Sequence, residues 1–227
     1  MHLLRAAIVL FLTSGLATVS AATDEPDMFA RLDRAAASFK AMKANVRWVA
    51  HTAVINDDTV DAGTMMLKRA KNETRMLVNI THPDQKSVTL QDRKLEIYYP
   101  KMQTIEEYDV GKHRDLIHQF LLIGFGTSGK DLASAYQVKV LASELVAGQQ
   151  ATKMELIPKS PEVLQQLKKV EIWISDTDVY PVQQKFYLSA GDYKLVTYTD
   201  VKMNIPLSDG DLKLKVPKDV KRVFPQK

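Results

Sequence analysis

The sequence predicts a mainly β protein of the α+β kind. About a dozen antiparallel strands curl around an apolar interior, with an N-terminal helix and short helices beside them. Three observations carry this. From Val46 to Asn204 most segments alternate apolar and polar residues with a period of two and are separated by short polar turns. A helical period is confined to a stretch near the start and a few short pieces. Many strands joined by short turns favour a barrel or a strongly bent sheet.

The hairpin at Leu90–Pro100 is the clearest element. Leu95, Ile97 and Tyr99 alternate with Lys94, Glu96 and Tyr98, so one face is apolar. Asp92-Arg93-Lys94 supplies a tight turn, and Pro100, which has no N–H for a ladder, ends the second strand. Before it, Asp27–Lys43 reads as an amphipathic helix, with Met28, Leu32, Ala35, Phe39 and Met42 at steps of three and four. Strands follow at Val46–Ile55, Val60–Ala70, Arg75–Ile80 and Lys86–Gln91, with Gly63 placed for a bulge. Gln103–Val110 pairs back after the hairpin. Strands resume at Tyr136–Ser143, Ala151–Pro158, Val170–Ser175, Pro181–Ser189, Tyr193–Asn204 and Asp211–Val216, and the basic tail from Pro217 reads as irregular. A helical turn is expected at Asp131–Tyr136, and a short helix at Pro161–Lys169 opened by Ser160. The segment His113–Phe125 is almost wholly apolar and ends in Gly124-Phe125-Gly126-Thr127-Ser128-Gly129, a jointed connection.

Composition narrows the function. The chain of 227 residues has no cysteine, which excludes disulfides, thiolate metal sites, cysteine nucleophiles and lipid attachment to an N-terminal cysteine. Arg5, the apolar run Ala6–Leu12 and the small residues Val19-Ser20-Ala21-Ala22 read as a cleavable export signal over residues 1–22, leaving 23–227 as one soluble domain. The formal net charge of +4 drops by one when Arg5 leaves, too mild a balance to argue for nucleic acid.

No catalytic constellation emerges. Gly124-x-Gly126-x-x-Gly129 matches a dinucleotide fingerprint in letters only, because its mechanism needs a parallel βαβ unit around it and the neighbours read as antiparallel hairpins. His113 and His118 are five residues apart, off the spacing of a helical metal pair, and a Gly-x-Ser-x-Gly elbow is absent. No enzyme, cofactor or metal is expected. What remains is apolar surface. Trp48, Met65, Leu67, Leu77, Val88, Leu90, Ile97, Tyr99, Ile172, Ile174 and Phe186 can share one interior. On those residues alone an ordinary packed core is the favoured reading. The apolar 113–125 segment, with Phe120, Leu121 and Ile123, tips the reading toward a hollow closed by a hinged lid.

The order of these elements resembles the periplasmic lipoprotein carrier family called LolA, over essentially the whole mature chain. The local matches are Gly63-Thr64-Met65-Met66-Leu67-Lys68-Arg69, Asp92–Pro100 with Tyr98 and Tyr99, Leu121-Leu122-Ile123, and Ile172-Trp173-Ile174 followed by Pro181. The sequence departs from the family pattern at Ala70, at Asn72-Glu73-Thr74 and at Arg93. The resemblance implies a half-open antiparallel β-barrel of 11–12 strands, closed by helices acting as lid or plug. It implies an apolar cavity for lipoprotein acyl chains and a lid-latching role for Arg69. It also implies an inner-membrane loading complex and an outer-membrane acceptor as partners of a monomeric periplasmic carrier. The alternative is a lipid-binding or envelope-stress sensor of the same fold, without onward transfer.

Overall fold

A computed structural model describes residues 25–70, 73–113 and 123–225. The signal-like stretch 1–22 and most of the apolar 113–125 segment, including Phe120 and Leu121, lie outside them.

Helix α1 (Glu25–Ser38) carries Glu25 and Asp27 in its first turn, where the helix dipole favours negative charge. It buries Met28, Leu32 and Ala36 along one stripe. The helix expected to reach Lys43 stops five residues earlier. Strand β1 (Ala41–Thr52) takes over and pairs with β2 (Asp57–Ala70) from Ala41 opposite Lys68 to Thr52 opposite Asp57. Phe39 and Met42 are therefore not helical. Met42 faces Leu67 across the ladder, and continuous pairing over the whole strand outweighs a local helical period.

β3 (Glu73–His82), β4 (Lys86–Gln91), β5 (Lys94–Tyr99) and β6 (Thr104–Asp109) continue as a meander. β5 ends where Pro100 follows, as expected. After α2 (Gly129–Ala135), capped by the Ser128 hydroxyl accepting from the Asp131 amide at 3.0 Å, a second meander runs through β7 (Tyr136–Val146) and β8 (Gln149–Pro158). α3 (Pro161–Gln166) leads to β9 (Leu167–Ser175), β10 (Pro181–Leu188) and β11 (Tyr193–Met203). β1 and β11 join the meanders into one unclosed sheet, ordered β12-β6-β5-β4-β3-β2-β1-β11-β10-β9-β8-β7. Every described pairing is antiparallel except the short β12 (Lys221–Val223), which lies parallel to β6.

The two faces differ. One carries α1 and α2. Beneath these helices Met28, Leu32, Ile123, Leu132 and Tyr136 pack with Met154, Leu156, Val170, Ile172 and Ile174. A second cluster on the same face joins Phe39, Met42, Val46, Met65, Leu67 and Leu90 to Phe125, Val196 and Tyr198. The opposite face is not open to water throughout. Leu77, Tyr98 and Ile105, at 4%, 7% and 0% exposure, stand on it by alternation with Met76, Ile97 and Glu106. The C-terminal segment crosses that face. Asp209 pairs with Lys68 at 2.8 Å and Arg75 at 2.7 Å, and the buried Leu212 gives its carbonyl to Gln91 at 3.0 Å. The strand expected at Asp211–Val216 is thus replaced by a 3-10 turn at Gly210–Leu212 that plugs the outer face. The tail expected to be irregular forms β12 and ties Arg222 to Glu96 at 2.7 Å.

Candidate functional site: an apolar cavity on the inner face

Away from α1 and α2 the concave side of the sheet is not filled. A cavity of about 520 Å³ opens on the inner face. Trp48 of β1, Met65 of β2, and Met76 and Val78 of β3 form one wall. Gln166 and Leu167, then Gln184, Phe186 and Leu188 of β10, and Lys194, Val196 and Tyr198 of β11 form the other. β3 and β9 are five strands apart in the sheet order. Laid flat they would be roughly 24 Å apart at the usual strand spacing. Walls of one cavity can come from both only because the sheet curls.

Two polar clasps hold the chain over this face. Arg69, on the inner side of β2, donates to the Ala36 carbonyl of α1 at 2.8 Å and to the Gly126 carbonyl. Its guanidinium lies 5.5 Å from the Phe39 ring centre. Gly126 is held at φ +86°, and a Cβ there would come within 2.6 Å of Phe39 and 2.5 Å of the guanidinium. Glycine is thus what lets the turn approach Arg69. The second clasp is buried. The Tyr198 hydroxyl donates to Gln184 Oε1 at 2.7 Å, and Gln184 Nε2 donates to the Ile123 carbonyl at 2.7 Å. Burial pushes the Tyr198 hydroxyl pKa up, so it stays a donor. Both clasps end on the turn 123–126, one at each end.

The expected site residues fall into distinct places. Trp48 and Met65 line the cavity. Leu67 and Leu90 are buried in the cluster beside it, while Ile97 and Tyr99 share the inner face and are half-buried. Ile123, Ile172 and Ile174 lie under α1 and α2, packed and not on the cavity wall. Leu77 requires correction. It alternates with Met76 and Val78, so it faces the C-terminal segment and cannot reach the hollow. Phe120 and Leu121 lie outside the described residues. Met76, Val78, Val196 and Tyr198 were missed, though strict alternation with the residues chosen on neighbouring strands could have found them. Gln184 and Lys194 gave no signal, because a polar residue on an inner face reads as an outward position.

Chemically the site can hold an apolar chain and little else. Among the described residues there is no cluster of His, Asp and Glu able to hold a metal ion. No described helix is long and apolar enough to cross a membrane. Gly124–Gly129 forms a turn and then α2, and among the described residues no parallel βαβ crossover of the dinucleotide-binding kind surrounds it.

No protein-family model and no curated protein matches the sequence. Solved structures do match. MucB shares 14% identity at a TM-score of 0.54, covering 85% of this chain, which spans 63% of the MucB chain. The Mycobacterium tuberculosis lipoprotein LppX shares 13% identity at a TM-score of 0.51, covering 82% of this chain and 99% of that one. A LolA superfamily protein from Nitrosomonas europaea matches at 16% identity and a TM-score of 0.41, covering 85% of this chain and 99% of that one. At such identities the likeness is one of fold, and the architecture is the one expected: a mainly β, unclosed antiparallel sheet with an N-terminal helix on its inner face.

Proposed function

We propose that this protein is a periplasmic carrier. It binds acyl chains in the inner-face cavity and moves acylated cargo, lipoproteins foremost, from inner to outer membrane. The observation that carries the reading is the cavity itself: a hollow walled by Trp48, Met65, Val78, Phe186 and Val196 and bridged by two polar clasps. Each buried methylene contributes about 0.8 kcal/mol. A loading complex and an acceptor at the two membranes supply and remove the cargo in this scheme. Arg69 is the latch in this scheme, because its two carbonyl partners belong to α1 and to the turn 123–126 and it ties the two together. Mass spectrometry of the natively purified protein tests the proposal. Co-purified acylated protein supports it; a protein that arrives empty and binds no acylated peptide overturns it.

The second reading is an envelope-stress sensor of the same fold. The likeness to MucB motivates it, since the matched structures include MucB of Pseudomonas aeruginosa in complex with MucA. Recovery of a regulatory protein partner together with free lipid, without acylated protein, would favour the sensor.

A further inference from the structure

Only one charged side chain among the described residues lines the cavity, and it is Lys194. Its backbone is opposite Phe186 and Ala50, at the end of β11 next to the 189–192 turn. Alternation places it on the same face as Val196 and Tyr198, which are 5% exposed each, whereas Lys194 is exposed. The series Tyr198, Val196, Lys194 therefore runs from buried floor to open mouth. Lys153 and Lys169, on the opposite face, are bonded to carboxylates. Lys194 has no carboxylate within salt-bridge reach among the described residues. The other polar groups on the wall are neutral. Gln184 and Tyr198 are bonded to each other and to the Ile123 carbonyl, Gln166 stands at the exposed rim, and Trp48 adds an indole N–H.

We infer that the cavity selects a single acyl chain ending in an anionic head, a carboxylate or a phosphate monoester, with Lys194 as the residue that reads the charge. The inference rests on the acyl-binding reading and changes its foremost cargo, from an acylated protein to a free single-chain lipid with an anionic head. The volume of 520 Å³ matches roughly 17 water-sized groups at about 30 Å³ each, which is one long chain and not two or three. Lys194 is paired with Phe186 across the ladder and is exposed, a position that suits a lysine with its stem on apolar surface and its ammonium in water. An anion reaching the mouth gains a charge-assisted hydrogen bond that a neutral head does not.

The test uses the full chain and three probes of equal chain length: palmitate, palmitoyl lysophosphatidate and neutral monopalmitoylglycerol. Binding is followed by calorimetry at neutral pH. One probe per protein should bind, with one or both anions favoured about tenfold over the neutral lipid. Which anion leads identifies the head as carboxylate or phosphate. Lys194→Gln should abolish the preference, Lys194→Glu should invert it, and Lys194→Arg should keep it. Equal binding of all three probes by the unaltered protein, or a preference that survives Lys194→Gln, overturns the inference while the acyl reading stands. Failure of every probe to bind overturns both.

Discussion

Replacing Arg69 by methionine isolates the latch, because methionine keeps an apolar stem on the inner face of β2 and removes only the guanidinium. Two hydrogen bonds from a charged donor are lost, to the Ala36 and Gly126 carbonyls, together with the approach to Phe39. Bonds involving a charged partner contribute about 1.5–3 kcal/mol each. Arg69 is only half-buried, so the low end applies. The Ala36 carbonyl keeps a second donor in the Phe39 amide, at 3.4 Å, whereas no other donor to the Gly126 carbonyl is recorded among the described residues. The expected loss is about 2–3 kcal/mol, a thirtyfold to hundredfold shift toward opening of the 123–126 turn. Native-state hydrogen exchange reads this directly. Amides of 123–126 and of α2 should exchange faster by that factor, while those of β8 and β9 serve as internal reference. Unchanged exchange at the turn would show that Arg69 holds nothing closed. Equal acceleration in β8 and β9 would show that it supports the whole fold, and either result refutes the latch.

Four further expectations can be measured on the same protein. Tyr198→Phe leaves Gln184 Oε1 without its recorded donor in a buried site and should cost about 1–3 kcal/mol in urea unfolding. Combined with Gln184→Leu, the loss should fall short of the sum by at least ~0.5 kcal/mol, because the two act as one strut; strict additivity would refute that. Val196→Trp should fill the hollow and weaken acyl binding at least about tenfold, with unfolding free energy within ~1.5 kcal/mol of the parent. Gly63→Ala should destabilise by about 1–3 kcal/mol, since a Cβ there would stand 1.9 Å from the Asn79 carbonyl oxygen at the β2–β3 register shift; a neutral result would mean the ladder relaxes freely. Burial raises the Glu171 carboxyl pKa, but hydrogen bonds from Lys169, Lys153 and Tyr187 bring it below the usual value of 4.5. Its contribution is therefore present above pH 4.5 and lost as pH falls through the lower folded-state value. Glu171→Gln should flatten the acid limb of stability against pH, and an unchanged limb would place the linkage elsewhere.

The strand ladder was largely legible because its signals are local. Alternation marks each strand, Pro100 ends β5, Gly63 marks the β2–β3 irregularity, and Ser160 opens α3. The end of α1 was not legible. Met42, Ala44 and Val46 alternate as a strand, while Phe39, Met42 and Val46 continue the helical steps of three and four, and only pairing with β2 decides between them. The second buried face was equally hidden. Tyr98 reads as an outward partner of Glu96, and the cover that buries it comes from residues more than a hundred positions later. The site was legible in part for the same reason. Inner-facing positions follow from alternation, but which stay uncovered depends on where α1 and α2 come to rest. Ile172 and Ile174 lie beneath those helices, whereas Val78 and Val196 do not.

The hollow follows from a mismatch between sheet and cover. Twelve strands make a face roughly 58 Å wide if flat. α1 and α2, with 14 and 7 residues, are roughly 21 Å and 10 Å long and about 10 Å across. They close the inner face over β8 to β10 and leave the rest to the sheet's own curl. Curling about the paired β1 and β11 brings β2–β3 and β9–β10 toward each other, and the cavity remains between Met65 and Val78 on one side and Phe186 and Leu188 on the other. An ordinary core would close such a gap with larger side chains, because empty apolar space costs stability. Here the wall is built from Val78, Val196, Met65 and Met76, and methionine adapts readily to a changing neighbour. The clasps at Arg69 and Gln184 then have a clear physical task. They fix the turn 123–126 over a face that packing alone leaves under-covered, and each consists of a few hydrogen bonds, a cost that, on the acyl-binding proposal, an entering chain would offset by burying three or four methylenes.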